Sequence, residues 1–333
     1  MKAVLCTHFG PPEELETQDI PAPVAGEGQA VVSVKACGVN FPDVLMIQGK
    51  YQARPSFPFA PGGEVAGVVK AVGSGVTHVK PGDRVCVSVG NGGFAEEVLA
   101  DARRCQLLPD NVPFDVAASF TVTYGTSWHA LVDRAQIKPG ETLVVLGAAG
   151  GVGLSAVEIG HALGARVIAG ASSQAKVDIA LKNGADAGFV YPNVPLDRDQ
   201  QKALTEQIKQ LTGSQGADVL YDPVGDDYAE PALRAMNWNG RYLVIGFAAG
   251  KIPSVPLNLT LLKGFQIVGV FWGASLMRDP AHGLANQQRL LAMISEGKLK
   301  PFVSAHVPLM RASEALRLLM DRKATGKVVV TMD

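Results

Sequence analysis

The sequence predicts an α/β protein of two domains. The first is β-rich and mostly antiparallel; the second is a doubly wound parallel sheet covered by helices. Three observations predict this. The first hundred-odd residues hold short apolar stretches broken by glycine and proline. From about Phe114 strand-like and helix-like segments alternate, which implies a parallel, helix-covered sheet. Where the second pattern begins, an apolar run turns through several glycines into a helix.

In order, Met1 to Cys6 reads as a strand, Pro21 to Gly28 as a connector, and Ala30 to Ala36 as a second strand. Cys37-Gly-Val-Asn-Phe-Pro-Asp43 is a loop entering a short helix, Val44 to Ile47, which Asp43 caps. Gly49 to Pro61 is a long aromatic and proline-rich loop, the kind that often carries function. Strands follow at Gly62 to Gly73, after the Pro-Gly turn of Val79 to Val85, and at Gly92 to Val98. Asp115 to Leu131 has helical period, interrupted near Thr123-Tyr-Gly125. Leu143–Leu146, Arg166–Ala169, Asp218–Tyr221, Arg241–Ile245 and Phe265–Phe271 read as sheet strands. Helices are expected at Leu154–Leu163, Gln174–Lys182, Tyr228–Met236, Asn286–Glu296 and Ala312–Asp321, with a last strand at Gly326–Thr331.

The turn reads Gly147-Ala148-Ala149-Gly150-Gly151-Val152-Gly153. Small residues let backbone N–H groups approach a pyrophosphate, and the following helix points its positive end at it. Ala148 stands where the usual dinucleotide fingerprint has its first glycine, so an ordinary strand-to-helix turn also fits.

Composition narrows the field. The 333 residues are 47% hydrophobic and 18% charged, with a net charge of −1 and no basic run, which argues against nucleic acid as a partner. No apolar stretch is long enough to span a bilayer or serve as a signal core, so a cytoplasmic location is expected. The four cysteines are scattered without a CxxC pair and read as reduced thiols; the six histidines form no HExxH.

The chain resembles the medium-chain dehydrogenase/reductase superfamily, over nearly its whole length. The resemblance rests on the domain order and on Gly62-Gly-Glu64-Val-Ala-Gly67, Val79-Lys-Pro-Gly-Asp-Arg-Val85, the glycine turn, and the terminal Gly326-Lys327-Val-Val. Within it, Ala148-Ala-Gly-Gly-Val-Gly153 is similar to the zinc-free quinone oxidoreductase branch. That implies a GroES-like catalytic domain at 1–121 and 290–333, and a Rossmann domain at 122–289. Zinc members carry a Cys where this chain has Asn40 and a His where it has Gly63; neither residue replaces a thiolate or imidazole, so no metal is expected.

In NAD-binding forms an acid stands about 20 residues past the turn. Here the place holds Ala171 or Ser172, followed by Ser173 and Lys176, which suit a 2′-phosphate and point to NADPH. Ser-Ser-Gln also reads as a helix cap. The resemblance adds Tyr191 near that phosphate, and the backbone of Gly246, Phe247, Ala248, Val270, Phe271 and Trp272 at the nicotinamide; core packing is the other reading of Phe271 and Trp272. It also assigns Lys327 to the cofactor, and Asn40, Tyr51 and Thr123 as donors near the nicotinamide.

The resemblance implies hydride transfer to an acceptor already electrophilic, such as a quinone. An enone or enoyl thioester, whose nucleotide tail Lys50 and Arg54 would meet, is the alternative; an NADPH-binding protein that has lost activity is a third. A homodimer joined at the Phe265–Val270 sheet edge is also implied.

Overall fold

The computed structural model describes residues 1–213 and 215–332. The chain forms two units, Met1–Val122 with Gln287–Asp333, and Thr123–Asn286.

The first unit is built on Gln29–Val39, an eleven-residue strand buried along most of its length. It pairs antiparallel with Glu64–Val72 on one side and with Lys327–Thr331 and Glu97–Asp101 on the other. Arg84–Ser88 and Gln106–Leu107 extend the sheet beyond Glu64–Val72, and Val303–Pro308 extends it, in parallel, beyond Lys327–Thr331. The inward residues Val32, Val34, Val65, Phe94 and Val330 are essentially without exposure.

The second unit is a six-stranded parallel sheet. Its order is Ala187–Val190, Arg166–Ala171, Thr142–Val145, Ala217–Asp222, Met236–Val244, Gln266–Gly269. Counted within the unit this is 3-2-1-4-5-6, which reverses direction between Thr142–Val145 and Ala217–Asp222. In doubly wound sheets the ligand crevice lies at the carboxyl ends beside that reversal. The glycine turn begins there.

Several elements differ from expectation. The helical break falls at residues 118–120, between Phe114–Ala117 and Thr121–Trp128; Gly125 lies inside the second helix, which runs on into a π-helical stretch, His129–Arg134. The physical reason is Glu64, whose Oε1 accepts the Val122 N–H at 3.0 Å and so supplies an acceptor at the start of the second helix. The helix Arg198–Thr212 is absent from the sequence reading. Its apolar contribution is small, chiefly buried Leu204 and Ile208, and a reciprocal Asp197–Gln200 cap starts it. Among the described residues no helix is long and apolar enough to cross a membrane.

Candidate functional site

In the parallel-sheet unit the chain leaves strand Thr142–Val145 through Leu146 and turns at Gly147, which takes φ +60°. The left-handed residue is therefore Gly147. Ala148, fully buried and donating its N–H to Gly170 O at 3.0 Å, needs no glycine. The other glycines have separate reasons. A β-carbon at Gly153 would lie 2.2 Å from Gly147 O, so close packing of helix on turn excludes any side chain. A β-carbon at Gly150 would meet only Gly147 O, at an ordinary 3.4 Å. Nothing in the protein forbids a methyl there; a ligand approaching the backbone would.

Gly150 caps the twelve-residue helix Gly151–Ala162 without a side-chain hydrogen bond, and the first bond along it is Leu154 N to Gly150 O at 2.8 Å. The N–H groups of Gly151, Val152 and Gly153 thus stand at a bare helix end whose dipole favours an anion. Beneath the turn, the Tyr191 hydroxyl accepts from Gly147 N–H at 3.1 Å, while Ser127 and Ser155 donate to Val152 O at 3.0 Å each. Ser127 also bonds the buried Tyr221 hydroxyl at 2.8 Å. The cradle is fixed before any ligand enters it.

Strand Arg166–Ala171 ends at Ser172. Ser173 caps the helix Gln174–Lys182, accepting from Lys176 N–H at 3.4 Å, so the capping reading holds for it. Lys176 Nζ meanwhile sits 3.3 Å from Ser172 Oγ. A hydroxyl and an ammonium side by side, with no acid at the strand end, form a place for a phosphate. The residues present therefore fit a dinucleotide carrying a 2′-phosphate: open N–H groups and a bare glycine for the pyrophosphate, and a hydroxyl and a cation at the ribose position.

Farther along, Asp222 is buried at the end of its strand. It accepts from Val224 N at 2.7 Å, Gly225 N at 2.9 Å and the Tyr242 hydroxyl. Burial pushes its carboxyl up and these donors oppose the shift; the group holds the strand end together. The N–H groups of Gly246, Ala248 and Val270 donate to Asp222 O, Pro223 O and Val244 O, so those donors serve the fold. Phe247 is 37% exposed and Phe271 56%, which removes core packing as the explanation of Phe271; Trp272 is half-buried. Thr123 is buried, and its carbonyl accepts from Ser155 Oγ at 3.1 Å.

In the antiparallel unit, the end of strand Gln29–Val39 holds a buried polar cluster. Lys327 Nζ donates to Asn40 Oδ1 at 2.7 Å, Glu64 Oε2 at 3.0 Å and Val39 O at 3.2 Å. Asn40 Nδ2 donates to Glu64 Oε2 at 2.9 Å and Gly38 O at 3.3 Å. The helix begins at Phe41, not Val44, and its N-cap is Asn40; Asp43 lies inside its first turn, where it takes the N–H groups of Asn40 at 2.8 Å and of Gly62 at 3.2 Å, so it closes a capping box instead of being the cap itself. Burial raises its carboxyl to about 6 against those hydrogen bonds. The half-buried Tyr51 phenol is raised too, by burial and then by the charge of Asp43, so it stays protonated. Its hydroxyl has no hydrogen-bond partner among the described residues.

One expectation changes here. Lys327, assigned to the cofactor, has all three ammonium protons engaged within this cluster. Sequence reasoning missed Glu64, although an acid opening an apolar, glycine-rich strand was a visible signal.

Comparison with known proteins bears on both units. A family model described as alcohol dehydrogenase GroES-like domain matches residues 26–110, and one described as zinc-binding dehydrogenase matches 151–286. The quinone oxidoreductase-like protein 2 homolog of Nematostella vectensis is 37% identical, covering 99% of this chain and 88% of its own. Human quinone oxidoreductase is 32% identical, covering 100% of this chain and 98% of its own. The chain belongs to the quinone oxidoreductase branch of the medium-chain dehydrogenase/reductase superfamily. Escherichia coli quinone oxidoreductase, solved in complex with NADPH, matches with a TM-score of 0.88 at 29% identity, covering 99% and 100% of the two chains. The GroES-like model falls on the antiparallel sheet and the dehydrogenase model on the parallel one, so the family's two parts coincide with the two units described above. Although one model carries zinc in its description, no group of three or more His, Cys, Asp or Glu is placed to hold a metal ion among the described residues.

Proposed function

We propose that this chain is a zinc-independent reductase that transfers hydride from NADPH to a quinone-type acceptor. The observation that carries the reading is the acid-free end of strand Arg166–Ala171, where Lys176 Nζ and Ser172 Oγ sit together at 3.3 Å. A carboxylate at that place would repel a 2′-phosphate; this pair attracts it. When bound, NADPH supplies the hydride. The bare N–H groups of Gly151–Gly153 hold the pyrophosphate, Ser172, Ser173 and Lys176 the 2′-phosphate, and Tyr191 supports the turn from behind. The backbone of Gly246–Ala248 and Val270–Trp272 borders the nicotinamide, with Phe271 as an exposed apolar wall.

Tyr51, a neutral phenol, donates a hydrogen bond to the acceptor oxygen where negative charge develops. Asn40 offers Nδ2–H: its 3.3 Å contact with Gly38 O is the longer of its two and the one an acceptor oxygen would take over. Thr123 is the third polar group assigned to the site. The positions where zinc members hold ligands carry Asn40 and Gly63, and a β-carbon at Gly63 would crowd Gly90 O at 2.9 Å. The edge strand Gln266–Gly269 exposes Ile267, and a homodimer pairing two such edges covers it.

NADPH oxidation followed against 1,4-benzoquinone, an enone and acryloyl-CoA, each with and without EDTA, tests the function. Turnover with the quinone, unchanged by EDTA, is expected. A rate confined to acryloyl-CoA would favour the thioester reading, for which the exposed Lys50 and Arg54 are available. NADPH binding with no turnover would favour a binding protein, and loss of activity in EDTA would overturn zinc independence.

A further inference from the structure

Lys327 and Glu64 open the two strands that flank Gln29–Val39, one on each side. The register pairs Val328 with Val39 and Glu64 with Gly38. Both side chains therefore reach the point where the middle strand leaves the sheet at Asn40, and they meet across it at 3.0 Å. Gly38 permits this: a β-carbon there would lie 1.9 Å from Ala118 O and 3.0 Å from Glu64 Oε2. Glu64 is fully buried, Lys327 3% exposed and Asn40 7%.

We propose that Lys327 and Glu64 are positioning residues that lock the Asn40 amide in one orientation for the acceptor. The hydrogen bonds admit a single arrangement. Ammonium has only donors and carboxylate only acceptors, so Oδ1 must face Lys327 and Nδ2 must face Glu64. Rotating the amide by half a turn would set NH2 against NH3⁺ and oxygen against carboxylate. A purely structural need at a sheet end could be met by apolar side chains without the desolvation of two charges. What the ion pair adds is the fixed direction of the second Nδ2 proton. Glu64 extends the same control to the Val122 N–H, which precedes Thr123 in the helix Thr121–Trp128. The proposal rests on the reductase reading for its catalytic consequence, and on the cluster alone for its geometry.

Removing one partner leaves the other charge buried and unpaired, so Lys327→Met alone is expected to fold poorly. The informative protein is the neutral double variant Lys327→Met with Glu64→Gln, compared with wild type in three measurements. Expected are a melting temperature close to wild type, an NADPH Kd within about twofold, and kcat with the quinone lowered about tenfold or more. The second readout needs no activity. With selective 15N-asparagine labelling, the Asn40 side-chain protons, assigned by their loss in Asn40→Ser, should exchange with solvent slowly in wild type and at least tenfold faster in the double variant. Unchanged kcat together with unchanged exchange overturns the proposal. A weakened NADPH Kd at unchanged exchange returns Lys327 to the cofactor. If the wild type reduces no acceptor, the reductase reading fails while the exchange comparison still decides the positioning role.

Discussion

Replacing Gly153 with alanine places a β-carbon 2.2 Å from Gly147 O and 2.8 Å from Gly147 C. Carbon and oxygen in comparable contacts lie about 3.3–3.6 Å apart, so the overlap is about 1 Å and falls on backbone with no rotamer to change. The helix Gly151–Ala162 must move off the turn. Overpacking of this kind costs about 1–3 kcal/mol. At about 2–4 °C per kcal/mol, the melting temperature falls by roughly 2–12 °C before any cofactor is added. Gly150→Ala is the matched control. Its β-carbon meets only Gly147 O at 3.4 Å, so the apo protein loses only the difference between glycine and alanine at a helix cap, about 1 kcal/mol or less. Its methyl nevertheless stands where the pyrophosphate is proposed to approach. Differential scanning fluorimetry with and without NADPH separates the two. Wild type should gain about 2.7 kcal/mol at a hundredfold excess over Kd. Gly150→Ala should lower its apo melting temperature by no more than about 4 °C and lose most of that gain; Gly153→Ala should lose apo stability first. If Gly153→Ala melts with wild type, or Gly150→Ala keeps the full gain, the account of the turn is wrong.

Three further outcomes follow from the same geometry. Ser172→Asp puts a carboxylate beside Lys176 and the proposed place of the 2′-phosphate; at about 4 kcal/mol for unit charges 4 Å apart near a surface, the NADPH/NADH preference should fall by at least tenfold. A preference that does not move would remove Ser172 from the phosphate site. Asp43 has a folded value near 6 against an ordinary 3.8, so the folded state holds its proton more tightly and the carboxylate costs stability as pH rises between these values. Relative to Asp43→Asn, wild type should therefore lose roughly 2 kcal/mol of urea-measured stability between pH 4 and pH 7, and a pH-independent difference contradicts the burial. Ile267→Lys should convert a dimer to a monomer in light scattering; a wild type that is already monomeric refutes the edge pairing.

The sequence carried the glycine turn well because its constraints are local. Gly147, Gly150 and Gly153 act within seven residues, and Ala148 is tolerated for a reason visible once Gly147 is seen to take the positive φ. Ser172 and Lys176 were singled out by distance from that turn, and their side chains do lie together at 3.3 Å. The ion pair was not. Glu64 and Lys327 are 263 residues apart, and each alone looks like the polar first residue of an apolar strand. Only the sheet order, which puts Gln29–Val39 between their strands, brings them together. The helix Arg198–Thr212 was missed because a mostly polar sequence with two buried anchors resembles a solvated connection until its cap is recognised. Phe271 could not be assigned from sequence, since an aromatic ending a strand reads equally as core; its 56% exposure removes the core reading.

The most direct measurement is the dissociation constant of the wild-type protein for NADPH and for NADH, by quenching of intrinsic tryptophan fluorescence in one buffer at one ionic strength. The pairing of Lys176 with Ser172 at an acid-free strand end predicts NADPH tighter by at least tenfold, with the gap narrowing as salt rises. Equal affinities, or tighter NADH, would contradict it.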